Sequence, residues 1–187
     1  RGVHERREPG GHDALARYRG LLWRDGAGFR EAVTAALQTL GFAVVSGPGE
    51  PLVARSDDTT AFIETESASG QVAEWPYVRL QRRIEAEVLA GRPAPKGVVI
   101  VNGYRERDPD QREQELSEPL VRACENYRYA LVTGRALFEL VRRALGGADE
   151  AALLGIRRRL LQGAGLLAAE RLLGLEGEEA PETGPIF

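Results

Sequence analysis

The spacing of apolar residues changes several times between residues 14 and 145, and each change marks an element. Leu15, Tyr18 and Leu22 share one side of a short helix predicted over residues 14–23, which Asp25-Gly26-Ala27-Gly28 ends. Phe29, Val33, Ala36, Leu37 and Leu40 recur at three and four, predicting an amphipathic helix over 29–40 with Gly41 as its C-terminal cap. The period then shortens. Residues 42–45 read as a strand whose unbroken apolar run implies burial on both faces. Leu52-Val53-Ala54 and Ala61-Phe62-Ile63 flank a polar stretch and predict a β-hairpin, with 52–54 antiparallel to 61–63 and Asp57-Asp58 in the turn.

Helical spacing returns with Tyr77, Leu80, Ile84 and Val88, predicting a helix over 77–89. Val98-Val99-Ile100-Val101 is four β-branched residues in succession and predicts a central, parallel strand. A charged loop over 104–116 leads to Ser117-Glu118-Pro119, a cap residue followed by an early proline, and so to a helix ending near Asn126. A last strand over 129–132 precedes Thr133, which can cap a helix over 134–145. Strands alternating with helices after an early hairpin predict an α/β fold, a mixed sheet sandwiched by helices.

The ends differ in character. Residues 1–13 read as a polar linker in which His4 and His12 are solvated, and 14–147 as the α/β domain. Residues 148–175 read as a helical extension interrupted at Gly163 and Gly165, and 176–187 as a disordered acidic tail. Ile156, Leu160, Leu161, Leu166, Leu167, Leu172 and Leu173 give the extension an apolar stripe, to be buried on the α/β core or against a second copy in a homodimer.

Composition narrows the chemistry. The chain has 187 residues with 28% charged and a net charge of −3, which excludes a bulk polyanion binder. No apolar run is long enough to span a membrane. The single cysteine, Cys124, excludes an internal disulfide, sits beside core leucine and valine positions, and fits a reducing cytoplasm. A chain that begins at Arg1 and contains no Met is expected to be a piece of a longer protein. Lys96 is the only lysine, so any chemistry that needs a catalytic lysine has one candidate. There is no phosphate-cradling glycine motif, no Cys/His zinc spacing and no Ser-His-Asp grouping.

The order of elements resembles the restriction-endonuclease-like, or PD-(D/E)xK, nuclease superfamily, whose core is a helix, a three-strand meander, a helix and a further strand. Leu21-Leu22-Trp23, Leu40-Gly41-Phe42, Ile100-Val101-Asn102-Gly103-Tyr104 and the segment from Thr133 to Leu140 are similar to bacterial domains of that kind. The likeness spans about residues 17–175.

The resemblance implies a Mg²⁺ site built from an Asp on one hairpin strand and a Glu on the next, with a Lys two residues after the Glu on the same face. Here Glu64 matches the metal-binding Glu, and Glu66 stands where the Lys belongs. The Asp position falls on Glu50 or Pro51, with Pro51 in the closest register. The motif is therefore degenerate, and Glu50, Glu64 and Glu66 are its candidate residues. Glu31 and Gln81 match accessory positions of some branches. Arg79, Arg82 and Arg83, with Arg105 and Arg107, form a candidate phosphate-binding patch. Arg157-Arg158-Arg159 could flank a groove for a partner helix.

Three functions follow as expectations. The first is a catalytically degenerate nuclease-like domain that binds nucleic acid or protein within a larger bacterial protein. The second is an active divalent-metal-dependent nuclease with an all-carboxylate site. The third is a structural or oligomerisation domain.

Overall fold

A computed structural model of the chain describes residues 14–47 and 51–176. Glu50, the two histidines, the leader and the acidic tail beyond Glu176 lie outside the described residues.

Among those residues the order is α1 (Gly20–Trp23), α2 (Gly26–Thr39), β1 (Ala43–Val45), β2 (Leu52–Ser56), β3 (Thr59–Ser67), α3 (Trp75–Leu89) and β4 (Lys96–Asn102). Then come α4 (Glu118–Asn126), β5 (Ala130–Thr133), α5 (Gly134–Leu145), α6 (Glu150–Gln162), β6 (Gly165–Leu166) and α7 (Ala169–Leu173). The fold is α/β around one six-stranded mixed sheet whose strands lie side by side in chain order. β1, β2 and β3 form an antiparallel meander, and β4, β5 and β6 follow parallel to β3. The expected hairpin register holds, with Leu52 opposite Ile63 and Ala54 opposite Ala61. Asp57 turns the hairpin with a φ of 49°, a left-handed value that Asp tolerates.

Alternation along the strands splits the core into two layers. Ala61, Ile63, Val98, Ile100, Ala130 and Val132 face α1, α2 and the C-terminal helices. Val99, Val101 and Leu131 face α3 and α4, joined there by Leu80, Leu120 and Cys124. Val98 to Val101 are fully buried, as an apolar run in a central parallel strand requires. The caps read from the sequence form as expected: Ser117 Oγ accepts from Leu120 N, Thr133 Oγ1 from Ala136 N, and Gly41 ends α2 with a φ of 90°.

Three expectations are corrected. The strand over 42–45 is not buried on both faces. β1 is an edge strand with Val45 57% exposed, because no helix covers β1 on the α3 side. The segment over 14–23 is not one helix but a 3₁₀ turn, Ala16–Tyr18, followed by the short α1. The segment over 148–175 is not purely helical: Gly165 and Leu166 pair with Ala130 and Leu131 as a sixth strand.

The C-terminal stripe folds back on its own domain. Ile156, Leu160, Leu167 and Leu172 are buried in the α2 layer of the core. Arg157 is buried with them and tied by hydrogen bonds to Ser56 Oγ, the Leu40 carbonyl and Glu150, so it does not flank an external groove. Among the described residues no helix is long and apolar enough to cross a membrane.

Candidate functional site

Glu64 and Glu66 sit two apart on β3, so both point to the α3 side of the sheet, the side of Phe62. α3 crosses that face, and its arginines at 79 and 83, one helical turn apart, reach down to the strand. Arg79 Nε donates to Glu64 Oε1 at 2.6 Å and its Nη2 to Glu66 Oε2 at 2.5 Å. Arg83 Nη1 donates to the other oxygen of Glu64 at 2.8 Å. The Glu64 side chain is only 8% exposed, whereas Arg79, Arg83 and Glu66 are 34–40% exposed. A carboxylate this buried needs a counter-charge, and two guanidinium groups supply it. Burial would lower the Arg79 pKa, but its hydrogen bonds to Glu64 and Glu66 and their charges outweigh that and raise it.

The structure therefore joins what the sequence reading kept apart. The metal-motif carboxylates Glu64 and Glu66 and two of the five phosphate-patch arginines, Arg79 and Arg83, are one internally neutralised cluster. Arg82, between them on α3, is exposed and takes no part in it. Arg105 pairs with Asp25 at 3.3 Å, and Arg107 lies over the Tyr104 ring. Gln81 donates to Glu85 and to the Tyr127 hydroxyl. The register that sets Leu52 opposite Ile63 puts Pro51 beside Glu64, a residue with no carboxylate to offer. Among the described residues no group of three or more His, Cys, Asp or Glu side chains is arranged to hold a metal ion.

Lys96 does not supply the missing lysine. It starts β4 two residues before Val98, so it belongs to the opposite face of the sheet from Glu64. Its Nζ donates to the carbonyls of Arg128 at 2.5 Å and Gly163 at 2.6 Å, fastening β4 to the segments on either side of β5. Burial, and secondarily the charge of Arg128, lowers its pKa. Cys124 is buried and pushed up to about 12 by that burial, so it is a core thiol and no nucleophile.

A second polar centre was not visible in the sequence. Arg112, in the loop after β4, donates to Asn102 Oδ1 at 2.5 Å and to the carbonyls of Leu22, Arg105 and Arg107. Asn102, fully buried at the end of β4, also donates to the Leu22 carbonyl. This network pins the α1–α2 junction and the 103–116 loop to the carboxyl ends of the parallel strands. Its groups satisfy each other, and its role is architectural.

Set against protein-family models, curated proteins and solved structures, the chain finds no match in any of the three.

Proposed function

We propose that this chain is a restriction-endonuclease-like domain that binds rather than cleaves, a catalytically degenerate module for nucleic acid or for a protein partner within a larger bacterial protein. Support for the fold family is the order of elements: a helix, an antiparallel three-strand meander, a helix, and a strand parallel to the third. The observation that carries the loss of chemistry is the pairing of Glu64. Both of its oxygens accept from guanidinium groups, and one oxygen of Glu66 does the same. A divalent cation at these residues would have to displace two arginines and then be held by two carboxylates with no lysine beside them. Guanidinium cannot act as a proton-transfer group at neutral pH.

The same pairing bears on what the α3 face binds. With Arg79 and Arg83 neutralised, that face offers phosphates little beyond Arg82. The uncovered side of β1 and β2 next to it is mixed, with Val45 and Arg55 exposed and Val53 and Phe62 half-buried. An apolar and basic surface of this kind suits a protein partner or nucleic acid.

The test is a cleavage time course on duplex and single-stranded DNA and RNA with Mg²⁺ and with Mn²⁺, run beside Glu64→Ala. No cleavage by either protein is expected. Cleavage by the parent chain that the substitution abolishes would reinstate the alternative, an active metal-dependent nuclease.

A further inference from the structure

On the opposite side of the sheet from Glu64, the 3₁₀ turn, α1 and the first turns of α2 enclose a cavity of about 330 Å³. Arg17, Arg19 and Arg24 line it, with Trp23 at its rim and Glu31 as the only carboxylate. Several surface arginines of this chain pair with a carboxylate, as Arg92, Arg122, Arg135 and Arg142 do. Arg19 and Arg24 find none among the described residues, and Arg17 lies over the Tyr18 ring, which leaves its charge uncancelled. Three arginines thus line one concavity in which Glu31 is the single carboxylate.

Gly28, in the first turn of α2, lines the same cavity, and Asp25 is the N-cap residue of that helix. The rim is also rigid. Ser67 Oγ donates to the Arg24 carbonyl at 2.8 Å, and Asn102 and Arg112 donate to the Leu22 carbonyl at 3.0 and 2.5 Å. These bonds fix the segment bearing Trp23 and Arg24 to the ends of β3 and β4. A Cβ at position 28 would come within 2.9 Å of the Arg24 side chain, so glycine there leaves that arginine its place.

Arginines without a carboxylate partner around one concavity, on a backbone held in place, suit a dianionic oxyanion, and planar guanidinium favours phosphate. We propose that this cavity binds a phosphomonoester, Arg17, Arg19 and Arg24 holding its oxygens. The volume admits the phosphate of a small ester or of a nucleic-acid end. This site is independent of the α3 face, so its failure and a failure of the reading given for Glu64 are separate results.

The experiment is titration calorimetry of the chain with inorganic phosphate, with adenosine 5′-monophosphate, and with a short single-stranded oligonucleotide carrying either a 5′-phosphate or a 5′-hydroxyl. The phosphomonoesters are expected to bind. Arg19→Gln with Arg24→Gln should weaken that binding about tenfold or more, a loss of about 1.4 kcal/mol or above. Glu31→Gln, which removes the one opposing charge, should tighten it. A preference for the 5′-phosphate oligonucleotide over adenosine 5′-monophosphate supports the site and names a nucleic-acid end as its ligand. The reverse preference supports the site and names a free ester. Absence of binding for all phosphomonoesters at millimolar concentration overturns the proposal. So does an affinity unchanged in the double arginine variant, whose far-UV circular dichroism shows whether the fold is kept.

Discussion

Glu64 shows how burial decides what a residue is. Its position on β3 suggests a metal ligand, but its partners make it half of a salt-bridge cluster. Removing Arg79 and Arg83 together strands a buried carboxylate. We expect Arg79→Ala/Arg83→Ala to lose about 2–4 kcal/mol at pH 7 in urea unfolding. Glu64→Gln, which leaves partly exposed guanidinium groups free to turn to water, should cost about 1 kcal/mol. Equal losses in the two proteins would contradict the burial argument. Glu115 makes a second residue-scale case. Burial raises its pKa above 4.5, against the lowering pull of Arg112 and the Gly103 amide. The folded chain therefore holds this proton more tightly than the unfolded one. The stability that follows is full below pH 4.5 and is lost as pH rises through the raised folded value. Glu115→Gln keeps an oxygen to accept from Gly103 N and removes the titration. Its melting temperature should match the parent at pH 4 and exceed it at pH 7. A difference constant over that range would show that the carboxyl is not the cause.

At the scale of elements, attachment is carried by polar groups that no apolar pattern records. Arg157 joins α6 to the end of α2 and to β2 through Leu40 O, Ser56 and Glu150. Arg157→Met preserves bulk but strips a partner from a buried carbonyl and a buried hydroxyl. A loss of about 2–4 kcal/mol is expected from chemical denaturation. Arg157→Lys should not restore it, because one ammonium cannot reach three acceptors spread as a planar fork spreads them. Close approach matters in the same way. A Cβ at Gly97 would lie 2.3 Å from the Tyr129 ring, whose position between β4 and α4 also completes the Tyr77–Tyr127–Tyr129 stack.

For the whole molecule, the C-terminal segment is part of the domain and not an appendage. Truncation after Leu145 removes Ile156, Leu160, Leu167 and Leu172, each at most 2% exposed. At roughly 1.5–3 kcal/mol per buried side chain, the loss is comparable to a domain's total stability of about 5–15 kcal/mol. The truncated chain should aggregate or populate unfolded states in light scattering and circular dichroism. A stable, smaller, monodisperse particle would mean that the segment serves assembly instead. Much of this architecture was legible beforehand, because it follows from local rules. The helices over 29–40 and 134–145, the buried Val98–Val101 run, the caps at Ser117 and Thr133 and the hairpin register each depend on residues a few positions apart. β6 was not legible, since two residues, one of them Gly165, carry no periodicity and pair only because β5 offers an edge. The edge position of β1 was hidden as well, because an apolar strand reads alike whether or not a helix lies over it. The candidate site divides along the same line. Sequence alone placed Glu64 and Glu66 on one face of a strand and grouped Arg79, Arg82 and Arg83 on one face of a helix. Only the packing of that helix across that strand decided that the two sets neutralise each other, and only the folding of α1 against α2 brought Arg17, Arg19 and Arg24 around one cavity. Spacing along the chain fixes which way a side chain points, but charge acts through space, and what it meets there is set by the tertiary structure.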